Sequence, residues 1–249
     1  VKKLIYPEVK SAVFMERPNR FIAYCRLKET NEVIIAHVKN TGRGKEVLIP
    51  GAEVAVAYAP GPKRKTDYDL IAVKKQGNWF NIDSQIPNKL AYEGILDGKI
   101  QLPNIEKIRS IRREVVYGNS KFDLYLEAET GLKAFVEVKG MTLENREVGA
   151  FPDAPTLRGL KHVKELTAAK KTGYEAYVLF IVQFETLHTA TNHEEMQPAL
   201  AEAIEEAQAQ GVHVLAYNCS VQADEITVKQ RIPFVLDYPF EDPIILERR

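Results

Sequence analysis

Two cysteines in a chain of 249 residues, Cys25 and Cys219, are too few for a disulfide framework or a cysteine-rich zinc site, and they read as buried thiols in a reducing compartment. Long apolar runs are missing too. The densest, Ala176 to Val182, falls far short of the roughly 20 residues a membrane helix needs, and Val1-Lys2-Lys3 opens no signal-peptide hydrophobic region, so a soluble cytoplasmic chain with no membrane partner is expected. Net charge is absent as well, with 34 basic against 34 acidic residues. No internal repeat is visible. What is present is ordinary globular composition, 45% hydrophobic and 27% charged, which excludes disordered and collagen-like chains and suits two domains with a real core.

The zero balance conceals an asymmetry. Residues 1–85 hold 15 basic and 9 acidic side chains, a net +6, whereas residues 86–249 hold 19 and 25, a net −6. A basic module beside an acidic one suits nucleic acid on the first and metal on the second, although scattered lysines by themselves are ordinary solvated surface. Lys63-Arg64-Lys65, between Pro62 and Thr66, concentrates charge in one loop with phosphate-binding chemistry.

From Val9 to about Phe80 the pattern is of short β-rich segments, Arg20 to Leu27, Glu32 to Val38, Glu53 to Ala59 and Asp69 to Lys74, broken by Asn40-Thr41-Gly42, Pro50-Gly51 and Pro60-Gly61-Pro62. It predicts a small antiparallel barrel, OB-like or SH3-like. Apolar residues Ile86, Leu90, Ala91, Ile95 and Leu96 recur at helical spacing and predict a connecting helix between Asp83 and Gly98. From about Arg109 the segments Lys121 to Glu127, Lys133 to Lys139, Thr156 to Lys171, Glu175 to Val182, Glu194 to Gln210 and Val212 to Tyr217 read strand, strand, helix, strand, helix, strand. That order predicts an α/β layer on a mixed sheet, with Glu175 to Val182 as a central strand and Gly173 and Gly211 ending the helices. Pro233 to Arg249 carries a weak strand signal. The expected division is 1–85 for the barrel and 86–249 for the α/β domain.

The chemistry concentrates in Ser120 to Lys139, where two alternating strands flank Glu129-Thr130-Gly131. If Ala128 pairs with Leu132, Asp123 lies opposite Glu137, and alternation groups Asp123 with Tyr125 and Glu127, and Glu137 with Phe135 and Lys139. Directly opposed like charges are destabilising unless something offsets them. A magnesium ion, which accepts one or two protein carboxylates and keeps several waters, would do so, with Lys139 beside the attacking water. The same trio also reads as an exposed ion network in which Lys139 relieves the repulsion. Glu114, ahead of Val115-Val116-Tyr117-Gly118, is a further acidic candidate that spacing alone does not place.

Asp followed by Glu-x-Lys on paired strands resembles the PD-(D/E)xK nuclease core. Further motifs narrow the resemblance: Asn40-Thr41-Gly42 with Pro50-Gly51, Lys63-Arg64-Lys65, Glu114-Val115-x-Tyr117-Gly118 with Ser120 and Asp123, Glu137-Val138-Lys139 with Thr142-Leu143, and Phe151-Pro152-Asp153-Ala154 with Thr156, Arg158, Gly159 and His162. In that order they resemble the sugar fermentation stimulation protein A family. The resemblance implies an OB-fold domain that binds nucleic acid and a PD-(D/E)xK nuclease-like domain, with Glu114, Asp123 and Glu137 as ligands of Mg2+ or Mn2+ and Lys139 as the active-site lysine. It implies nucleic-acid contacts at Arg43, Lys63, Arg64, Lys65, Arg158 and His162. Lys121-Phe122 departs from the family's arginine and aliphatic pair, and Asn81-Ile82-Asp83-Ser84 from its asparagine-threonine motif.

Asp153 and Pro155 form an ordinary helix entry, with Asp153 as N-cap. Arg158 and His162 share a face opposite Leu160, Val163 and Thr167, so periodicity alone makes both solvated and only the resemblance places them over the carboxylates. His188, His193 and His213 carry no such support. Glu194, Glu195, Glu202, Glu205 and Glu206 make a solvated face. Trp79, Phe80 and Tyr68 suit barrel packing better than base stacking. Two function classes follow: a divalent-metal-dependent nuclease acting on DNA or RNA, and a non-catalytic DNA-binding regulator of sugar metabolism genes.

Overall fold

The computed structural model describes residues 3–40 and 42–246; Thr41 of the Asn40-Thr41-Gly42 turn and the end residues of the segments Val1-Lys2-Lys3 and Pro233 to Arg249 lie outside them. After β1 (Leu4–Ile5) come β2 (Val9–Asn19), β3 (Ile22–Leu27), β4 (Val33–Val38), β5 (Glu53–Tyr58) and β6 (Tyr68–Lys75). On β3 and β4 alternate side chains (Ala23, Cys25 and Leu27; Ile34, Ala36 and Val38) turn inward, as period-2 patterning dictates. The strands run in the order β4-β3-β2-β5-β6, and a parallel pairing of Ala36 with Tyr68 and Val38 with Leu70 closes these five into the expected small barrel, which is of the OB type. β7 (Asn78–Asn81) adds to β6.

The second part begins with α1 (Ile86–Leu96) and continues through β8 (Ile108–Tyr117), β9 (Ser120–Ala128), β10 (Lys133–Met141), β11 (Leu143–Asn145) and β12 (Val148–Phe151). Then follow α2 (Leu157–Lys171), β13 (Glu175–Val182), β14 (Thr189–Asn192), α3 (Pro198–Ala209), β15 (His213–Val221), β16 (Glu225–Ile232) and α4 (Pro243–Leu246). The main sheet has the order β1-β16-β15-β13-β10-β9-β8, with β10, β13 and β15 parallel and the rest antiparallel. β13 is its central strand and is buried on both faces. Ile86, Leu90, Ala91 and Ile95 of α1 cover one face, against Leu124, Val136, Tyr177 and Leu179. The other face packs Phe122, Phe135, Val178 and Phe180 under Val163 and Leu166 of α2 and Ile204 of α3.

Gly173 (φ +98°) and Gly211 (φ +87°) follow the last turns of α2 and α3, where the left-handed backbone satisfies terminal carbonyls. Three expectations need correction. The cap of α2 is Thr156, whose side chain accepts the Gly159 N–H, whereas Asp153 serves elsewhere. α3 begins at Pro198, since proline has no N–H to continue a helix from Glu194. The weak strand signal after Pro233 corresponds to a single bridge, Ala190↔Phe234, beyond which the tail holds the short α4, so here only the extent is corrected. The first strand also crosses the 85/86 division, because Leu4 and Ile5 pair with Ile226 and Glu225 of β16. Phe80 of the barrel stacks on Phe184 of the second part at 4.6 Å between centroids, so one apolar cluster runs through both. Among the described residues no helix is long and apolar enough to cross a membrane.

Candidate active site

The β9–β10 hairpin has the expected register. Ala128 N–H donates to the Leu132 carbonyl at 2.8 Å, and the pairs Glu127↔Lys133, Leu126↔Ala134, Tyr125↔Phe135 and Leu124↔Val136 follow in step. Backbone pairing then gives way to a side chain. Asp123 Oδ2 accepts the Val138 N–H at 2.8 Å, and its Oδ1 accepts from Asn88 Nδ2 of α1 at 2.7 Å. Strict alternation breaks at this point, because Phe122 packs with the cluster under α2 while Leu124, two residues on, packs with the cluster under α1. Asp123 lies at the break, which turns its carboxylate toward the opening between the strands.

Glu137 is 1% exposed and projects on the α2 side of β10. Its Oε1 accepts from Lys139 Nζ at 2.6 Å and from Nδ1 of His162, the latter a donor because an ionised carboxylate can only accept. Its Oε2 is buried without a partner. An orphaned carboxylate oxygen near a second, half-buried carboxylate fits a hard divalent cation, which takes oxygen ligands and offsets the repulsion. Among the described residues no group of three or more His, Cys, Asp or Glu is placed to hold a metal, which leaves Asp123 and Glu137 as the candidate pair.

Burial, then the charge of Glu137, pushes the Asp123 carboxyl above its ordinary range against the Val138 N–H, Lys139 and Asn88. For Glu137 burial acts in the same direction, but the His162 hydrogen bond and the Lys139 charge overcome it and hold the carboxyl below its usual value. The two neighbouring carboxyls are thus pushed in opposite directions, Asp123 upward and Glu137 downward.

The remaining expected residues separate. Glu114 (φ +54°) lies across from Asp123, between the pairs Arg113↔Leu124 and Val115↔Phe122, yet its exposed carboxylate meets Lys121 Nζ at 2.9 Å. It does not join the pair. His162 is buried rather than solvated, because it falls within the inward stripe of Gly159, Val163 and Leu166, and it meets Glu137 directly. Arg158 is exposed in the first turn of α2. Arg43 does not offer a free guanidinium: Nη2 donates to Asp242 Oδ2 at 2.9 Å, and its backbone N–H donates to Asp153 Oδ2 at 3.1 Å. All three cations of that loop are exposed, but Arg64 pairs with Asp69, which leaves Lys63 and Lys65 without an acidic partner among the described residues.

At Gly140 a cleft of 320 Å³ opens between barrel and sheet, lined by Gly140, Thr142 and Gln183 on one side and Asn40, Gly42 and Ser84 on the other. Gly140 is needed here, since a Cβ would come within 2.6 Å of Gln183 Oε1 and 2.9 Å of Pro87 Cγ. Gln183 Nε2 donates to Asn81 Oδ1 at 2.9 Å and to the Asp83 carbonyl at 3.0 Å, which ties the cleft wall to the junction. Asn88 and Gln183 escaped the sequence reading because neither belongs to a local pattern. Only tertiary contact brings them to the site.

Comparison with known proteins adds to this geometry. Residues 15–82 match the family model described as the SfsA N-terminal OB domain, and residues 85–225 match that of the sugar fermentation stimulation protein RE domain. A sugar fermentation stimulation protein homolog from Enterococcus mundtii is 63% identical over 239 residues, covering 96% of this chain and 98% of that protein. One from Clostridium acetobutylicum is 45% identical over 227 residues, covering 91% and 97%. Among solved structures, SfsA from Pyrococcus furiosus in complex with Ca2+ aligns with a TM-score of 0.82 and 30% identity, over 94% of this chain and 100% of that one.

Proposed function

This chain belongs to the sugar fermentation stimulation protein family, and we propose that it is a divalent-metal-dependent nuclease that hydrolyses phosphodiester bonds in DNA or RNA. The barrel of the 1–85 segment supplies affinity and the 86–249 segment supplies chemistry. The observation that carries the reading is the gap in the hairpin at Asp123, whose carboxyl feels the charge of Glu137, together with the unpartnered Glu137 Oε2. Those two carboxylates would hold Mg2+ or Mn2+, and the calcium complex of the archaeal relative supports an oxygen-donor cation site. When bound, such an ion stabilises charge on phosphoryl oxygens and acidifies water. The protein's own groups do the positioning. His162 fixes Glu137 through Oε1 so that Oε2 faces the gap, and Lys139 sets a positive charge where water and the scissile phosphate meet.

A second reading, the non-catalytic DNA-binding regulator, draws support from Lys139 and His162, which already offset the Glu137 charge without a cation. Single-turnover cleavage of end-labelled strands and duplexes, with an EDTA control, separates the two. Lys139→Ala and Glu137→Gln should each lower the metal-dependent rate by about 10²-fold or more while leaving affinity within a few-fold. Equal cleavage by wild type and both variants would defeat the mechanism, and no cleavage by any preparation would leave the regulator.

A further inference from the structure

We propose that the outer face of the barrel carries a track for single-stranded nucleic acid, with Phe21 as a base-stacking platform, leading into the cleft at Gly140. The proposal rests on the nucleic-acid reading above and gives it a strand preference. Phe21 is 49% exposed, and no other phenylalanine is among the exposed large hydrophobic side chains of the described residues. Its place is fixed, because Asn19 Oδ1 accepts the N–H of Phe21 at 2.9 Å and of Ile22 at 3.2 Å in the turn between β2 and β3. The Arg20 guanidinium lies over the ring at 4.6 Å from its centroid. A held aromatic ring with a cation on it is the arrangement on which unpaired bases stack.

The surroundings continue in both directions. The ring borders a 320 Å³ depression with His37 and Lys65. Arg20 in turn borders a 510 Å³ pocket with Arg17, Lys45, Leu48 and the single acid Glu16. Arg17 shapes that pocket by donating to the carbonyls of Arg43 at 2.9 Å and Asn40 at 2.8 Å. Gly42 lines both this pocket and the cleft that reaches Gly140, one residue beyond Lys139. Lys65, Phe21, Arg20, Lys45, Gly42 and Gly140 therefore follow one another across the surface. Among the described residues Lys65, Arg20 and Lys45 have no acidic partner, which leaves them free for phosphates. A duplex buries its base faces in the stack and cannot present one to Phe21, so the track selects unpaired strands.

Equilibrium binding in EDTA to a short labelled DNA strand, the same sequence as RNA, and the DNA duplex tests this without reference to cleavage. Phe21→Ala should weaken single-strand binding by about tenfold with an unchanged salt slope, and change duplex binding by less than about twofold. Phe21→Trp should restore it. Arg20→Ala combined with Lys45→Ala should lower the single-strand salt slope by about 0.7 for each phosphate left without its cation. Unaltered single-strand affinity in Phe21→Ala, or equal losses on strand and duplex, would overturn the track. Wild type that binds none of the three probes would overturn the nucleic-acid reading with it, whereas normal binding without cleavage in Mg2+ or Mn2+ would remove the nuclease chemistry alone.

Discussion

Glu46 lies buried in the loop between β4 and β5 with neither carboxylate oxygen partnered. Burial, and after it the charge of Asp153, raises its carboxyl from 4.5 to about 7 against its own backbone N–H, Lys75 and Arg43. A carboxyl with a higher pKa folded than unfolded binds its proton more tightly when folded. The linked stability is therefore fully present below about 4.5 and is lost as pH rises through about 7, to the extent of about 3 kcal/mol. Glu46→Gln should match wild type at the acid end of that window and exceed it above neutrality. Urea denaturation across the window checks this, and a pH-independent difference would show that Glu46 does not titrate there. Asp123 carries a different test. Replacing it with Asn removes a half-buried charge set against Glu137, so Asp123→Asn should raise the metal-free melting temperature, by about 2–4 °C for each kcal/mol gained at this size. It should also abolish the stabilisation added by magnesium or manganese. Calorimetry giving the variant the wild-type metal shift would place the cation elsewhere.

At the scale of elements, legibility followed locality. β3, β4, β5 and β6 were readable within two residues because turn signals bracket alternating runs, and the β9–β10 register was readable because a three-residue loop leaves little freedom. The register that brings Asp123 near Glu137 and Lys139 in the candidate site was legible for the same reason up to Leu124↔Val136. β8 was not, since Ile108–Tyr117 carries Arg109, Arg112, Arg113 and Glu114 and pairs only with β9 at the sheet edge. β11, β12 and β14 run to three or four residues and are strands only through one another. His162 shows the limit of helical periodicity, which gives the angle around α2 but not that an ionised Glu137 waits beneath it. Nor did alternation predict the break at Asp123. There the backbone N–H of Val138 takes a side-chain acceptor in place of a ladder carbonyl, and that substitution opens the strands at the site.

The whole molecule is joined by polar bridges as well as by its shared core. Lys75 Nζ reaches Glu144 Oε2 at 2.6 Å, Asn81 and Gln183 are bonded across the junction, and Arg43 reaches from the loop after β4 to Asp242 near α4. The last bridge decides between two uses of Arg43, a contact to nucleic acid or a clamp between the parts of the chain. Asp242 is 2% exposed, and burial acts to raise its carboxyl while the Arg43 hydrogen bond and the Ile244 N–H hold it below its ordinary range. Losing Arg43 strands that charge, since His193 Nε2 stands 3.8 Å away, beyond hydrogen-bond reach. Breaking a buried pair from one side costs about 3–5 kcal/mol. Arg43→Ala should therefore lower stability by about that amount at neutral pH, and adding Asp242→Asn should recover part of the loss by removing the stranded charge. Nucleic-acid affinity and its salt slope should stay near wild type under conditions where the variant is folded. The opposite result, intact stability with a salt slope lower by about 1, would make Arg43 a phosphate contact and the bridge incidental.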